Sequence, residues 1–68
     1  MPEGALLAGL EQLEEVPRIC LLLRVVGEAP YAVIARTLGI PEGTAQSHVH
    51  RARRRLRDTI VGAQEGEA

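Results

Sequence analysis

YAVIARTLGIPEGTAQSHVHRARRRL, residues 31–56, holds two short helical patterns that meet at Gly39-Ile40-Pro41. Ahead of the turn, Pro30 restarts the chain and Tyr31, Ile34, Ala35 and Leu38 recur at helical spacing, which turns them inward. Gly39 is placed to take the left-handed conformation that closes a helix. Ile40 then plugs the turn, and Pro41 stands where the next helix begins, a position at which proline is tolerated. Beyond it, at about 100° per residue, Ala45, Val49, Ala52, Leu56 and Ile60 fall within roughly an 80° arc. That stripe packs inward. The opposite face carries Ser47, His50, Arg51 and Arg54, with Gln46, Arg53 and Arg57 on one flank and His48 and Arg55 on the other. A short helix, a turn containing glycine and a second helix rich in positive charge predict a helix-turn-helix. Such a unit lays one helix in the major groove of DNA while its charge holds phosphates.

Upstream, Leu6, Leu10 and Leu13 predict a short first helix despite Gly9. Glu14, Glu15 and Pro17 suit the opening turn of a second, because acids favour the positive end of the helix dipole. Within it, Ile19, Leu22, Leu23 and Val26 follow the spacing of a buried stripe, and Gly27 is placed to end it. Residues 1–5 and 62–68, rich in Gly, Glu and Ala, are expected to be flexible ends around a domain at 6–61. Nothing resembles a strand or a repeat. The expected fold is all-α: a small four-helix domain containing a helix-turn-helix.

Sixty-eight residues make one small domain, whose modest core leaves stability marginal. No apolar run is long enough to span a membrane and no secretory leader is visible, so a cytoplasmic location is expected. Cys20 is the single cysteine, with no base or dyad beside it, and it reads as a small core filler. Neither a metal-type Cys/His spacing nor a set of catalytic groups can be assembled, so neither a cofactor nor an enzyme is expected. Net charge is −1, which alone argues against a nucleic-acid binder. The distribution argues the other way. Between His48 and Arg57 lie five arginines, two histidines and no acid, while the remaining three arginines face nine acids. One segment is therefore about +5 and the rest about −6, and phosphates feel the local patch. A solvated helix face would also account for the basic run, but not for the helix-turn-helix directly before it. His48 and His50 read first as surface histidines, with a DNA contact as the alternative. Tyr31 is the only aromatic residue, which excludes a stacking platform for single strands.

From Leu10 to Leu56 the chain resembles region 4, the C-terminal DNA-binding domain of RNA polymerase sigma factors, especially the extracytoplasmic-function (ECF) group. Leu10 and Leu13 ahead of Pro17-Arg18 carry the likeness, with LLLR at 21–24, Ile34-Ala35, LGIPEGT at 38–44 and S-x-x-HRARRRL at 47–56. The resemblance implies a four-helix domain that reads a −35-type promoter element in double-stranded DNA. It also implies N-terminal helices that seat on the β-subunit flap of RNA polymerase. Family DNA contacts carried over by position fall on Thr44, Gln46, Ser47, His48, Arg51 and Arg53, and Arg54, Arg55 and Arg57 are expected to clamp the backbone. Gln46 and His48 stand where the family usually has Lys or Arg; Gln46 can instead read adenine through its amide. Val25, Ala32 and Val33 stand where the family more often has acids. The region that melts the −10 element has no counterpart here, so the chain is not expected to act alone as a complete sigma factor.

The leading expectation is sequence-specific DNA binding in bacterial transcription initiation, through the helix at about 42–60. The alternative keeps the scaffold but uses it to bind RNA polymerase, an anti-sigma factor or a second copy of the chain. The acidic N-terminal half and the apolar Val25 and Val33 favour it. A LuxR-type helix-turn-helix regulator is a further alternative, on the Gln-Ser-His-Val run at 46–49.

Overall fold

A computed structural model describes residues 3–66. It contains α1 (Glu3–Gln12), α2 (Glu15–Val25), α3 (Tyr31–Leu38) and α4 (Glu42–Gly66), with no strand among the described residues. The body measures 43 × 17 × 16 Å, long because α4 alone spans about 37 Å at 1.5 Å per residue. All three shorter helices pack on α4, and α2 also touches α3.

The expected turn between α3 and α4 is present. Gly39 sits at φ 69°, ψ 35°, its N–H bonded to the Ala35 carbonyl oxygen, and the Ile40 N–H reaches the same oxygen at 3.0 Å. The Pro41 carbonyl oxygen accepts from the Ala45 N–H at 3.0 Å, the opening bond of α4. Ile34, Ala35, Ala45, Val49 and Ala52 are buried as the spacing predicts, with Tyr31, Leu38, Ile40 and Leu56 partly buried against them.

In α2 the expected stripe is out of phase. Cys20 and Leu21 are the buried residues, whereas Leu22 is 39 % and Val26 76 % exposed. Residues 19–23 read Ile-Cys-Leu-Leu-Leu, and a helix segment apolar all round does not reveal its inward face by periodicity. Its end also differs in detail. Glu28, not Gly27, takes the left-handed conformation, at φ 54°, and the Ala29 N–H closes the turn on the Leu23 carbonyl oxygen at 3.0 Å. Gly27 is needed for room instead: a Cβ there would stand 2.8 Å from that same oxygen. Arg24 fastens the following link, donating to the Ala29 carbonyl oxygen at 3.2 Å while its guanidinium lies 4.6 Å from the Tyr31 ring centre.

The helices extend on both sides of residues 6–61. α1 begins at Glu3 and buries Ala5, and α4 continues past Ile60 to Gly66. Small residues with little to bury read as frayed, yet Ala5, Gly9 and Leu13 form the line by which α1 lies along α4. Met1, Pro2, Glu67 and Ala68 lie outside the described residues.

Candidate nucleic-acid interface

The solvent side of α4 is built from the step that builds its core. Ala45, Val49, Ala52 and Leu56 advance by four, three and four residues and stay on one line. Starting one residue later, the same step gives Gln46, His50, Arg53 and Arg57. Starting one earlier, it gives Thr44, His48, Arg51 and Arg55. Ser47 and Arg54 run between these rows, opposite the core. Each row thus inherits its direction from the packing of the stripe.

The two rows differ in their surroundings. Gln46, His50, Arg53 and Arg57 are all exposed, and the last three line a shallow depression of about 190 Å³ with Arg54. In the other row Thr44 and His48 are half-buried, while Arg51 and Arg55 are exposed. His48, Arg51 and Arg55 face the corner between α1 and α2, where Gln12, Leu13, Glu14 and Pro17 complete a groove of about 310 Å³. Gln12 is oriented there by Thr59, whose hydroxyl donates to its Oε1 at 3.3 Å. Arg51 folds back along α4, its Nε 3.4 Å from the Ser47 carbonyl oxygen. No polar or charged residue is buried among the described residues, so the guanidinium groups stay in water, where a charged partner can reach them.

All eight residues singled out in the sequence (Thr44, Gln46, Ser47, His48, Arg51, Arg53, Arg54 and Arg55) therefore lie on one helix, but not on one flat patch. They wrap its exposed half. His50 and Arg57 belong with them by the same spacing. Gln12, Glu14 and Pro17 carried no signal of their own, because more than thirty residues separate them from the arginines they face. Among the described residues, no group of three His, Cys, Asp or Glu could hold a metal, and no helix is long and apolar enough to cross a membrane.

A four-helix arrangement with a glycine-closed turn ahead of a basic helix agrees with comparison to known proteins. The family model described as sigma-70, region 4, matches residues 3–56, from the first described residue of α1 to the partly buried Leu56 of the core stripe. The chain belongs to the sigma-70 region 4 family. Two curated relatives, each named probable ECF RNA polymerase sigma factor SigI, come from the CDC 1551 / Oshkosh and ATCC 25618 / H37Rv strains of Mycobacterium tuberculosis. Both are 36% identical over 59 residues, which cover 87% of this chain and 20% of theirs. This region 4 domain thus spans one fifth of the length of the curated relatives it matches. No solved structure matches it. It is a region 4 domain of ECF type, a DNA-binding module of transcription, and this sets aside the LuxR-type alternative.

Proposed function

We propose that this region 4 domain reads a −35-type promoter element as duplex DNA, with α4 from Glu42 to about Ile60 in the major groove. One observation carries the reading: the second helix of a helix-turn-helix presents five arginines and no acid between His48 and Arg57, on the side away from its core stripe. Thr44 to Arg57 spans about 20 Å along the axis, longer than the roughly 12 Å width of the groove. The leading turns therefore reach base edges, as recognition helices do, and the trailing turns meet the backbone. Gln46, Ser47, His48 and Arg51 act near bases or their adjacent phosphates, and Thr44 is placed beside them. Arg53, Arg54, Arg55 and Arg57 clamp phosphates. Neutralising three to five phosphates gives log K a slope of roughly −3 to −4.5 against log salt. Anisotropy of a labelled duplex pool tests this from about 50 to 200 mM salt; a slope near zero rejects the reading. Promoter DNA as target places the activity in the cytoplasm.

A single recognition helix covers little DNA and gains useful affinity through a partner. Val25, at 54 % exposure, and Val33, at 39 %, favour a protein contact beside the DNA one. The RNA polymerase β-subunit flap is the partner this reading favours, with an anti-sigma factor or a second copy as the other candidates. Arg51→Ala abolishes DNA binding and leaves protein binding intact, whereas Val33→Glu does the reverse.

A further inference from the structure

The groove between the α1–α2 corner and α4 sets residues outside the helix-turn-helix against its second helix and joins residues far apart in sequence. Its α4 wall is cationic, with Arg51, Arg55 and His48, and its other wall holds Gln12 and Glu14. Because the Thr59 hydroxyl donates to Gln12 Oε1, the amide nitrogen of Gln12 is left to donate elsewhere. Two guanidinium groups, an imidazole and an amide donor make a set of hydrogen-bond donors suited to an anion. Among the described residues, Glu14 is the one carboxylate lining the same groove, and it opposes an anion there by like-charge repulsion.

We infer that this corner is a second phosphate-binding station, taking the DNA strand that passes on the Arg51–Arg55 side of α4, and that Glu14 sets its strength. The inference rests on the DNA-binding reading above, and it adds α1 and α2 to the DNA interface. A helix in the major groove has one phosphate strand on each side. On the Gln46–Arg57 side the arginines lining the depression stand without other elements around them. On the other side the strand meets α4 and the corner together. Glu14 then acts as an electrostatic brake on DNA affinity.

The test compares Glu14→Lys with Glu15→Lys, a neighbour that makes the same change in net charge but does not line the groove. Duplex binding by the full chain is followed by anisotropy across the same salt range. Glu14→Lys is expected to tighten binding about fivefold beyond Glu15→Lys and to steepen the salt slope by about 0.9, one added phosphate contact. Equal effects of the two substitutions overturn the inference while leaving the DNA-binding reading in place. If Glu14→Lys strengthens capture of a poly-glutamate peptide but not of duplex, the groove is a protein dock and the inference is likewise overturned. A wild-type chain that shows no salt-dependent duplex binding rejects the DNA-binding reading itself, and this inference with it.

Discussion

Glu28 holds a left-handed backbone at φ 54°, a region where any residue with a Cβ is strained and glycine is not. Glu28→Gly is therefore expected to stabilise the domain by about 1 kcal/mol and raise its melting temperature by about 4–8 °C, read by circular dichroism. Gly27→Ala should act in the opposite direction, since its Cβ would press on the Leu23 carbonyl oxygen. A sequence reader places the glycine at the left-handed position by default, and here the adjacent glycine met a steric demand instead. Gly39 was legible because the αL demand and the glycine coincide there. Cys20 is fully buried, and burial pushes its thiol above the usual 9.0. A pKa raised by folding contributes stability that is complete below the unfolded value and lost as pH climbs through the folded one. Thermal stability should thus fall on the alkaline side, above about pH 9, and Cys20→Ala should lessen that fall. A melting temperature in the variant that drops as steeply with alkali as in the wild type would assign the effect elsewhere.

At the scale of elements, α4 was legible because charged and polar residues separate its apolar ones, which fixes the phase of the stripe, and α3 was legible because Pro30 and Gly39 bound it. α2 was not, because five apolar residues run together at 19–23; its inward face is chosen by the neighbours, and Cys20 and Leu21 are the ones that meet them. The donor rows on α4 were readable from spacing, but the groove against Gln12 and Glu14 forms only when α1 and α2 fold back. How closely α1 lies on α4 is set by Gly9, where a Cβ would collide with the Leu56 side chain and come 3.6 Å from Thr59 Cγ2. A modest shift of Leu56 accommodates alanine. Gly9→Leu is expected to push the helices apart at a cost of about 1–3 kcal/mol, detectable as faster hydrogen exchange confined first to α1. Protection unchanged across α1 would show that the contact is dispensable.

The whole molecule is a thin body around a core of small side chains, with Ile34, Val49 and Cys20 the largest fully buried ones. Domains of this size gain only about 3–5 kcal/mol from their cores, and Ile34→Ala removes about 2–5. That variant should be largely unfolded at 25 °C, losing most of its helical signal at 222 nm. A ligand that binds only the folded chain offsets such losses by mass action. Duplex DNA is accordingly expected to raise the melting temperature of the wild type at low salt, and the gain should shrink as salt weakens the phosphate contacts. The separation of charge that supports this, about +5 on the segment from His48 to Arg57 against −6 elsewhere, was visible in the sequence; that three helices share α4 as their common support was not. The helix proposed to read DNA is also the spine of the fold, yet the two duties fall on interleaved residues: Ala45, Val49 and Ala52 are buried and hold the body together, while Gln46, Ser47, His50, Arg53, Arg54 and Arg57 are exposed. On the proposed reading, evolution, or an engineer, can therefore rewrite the address at Gln46 and Ser47 letter by letter, without renegotiating the architecture each time.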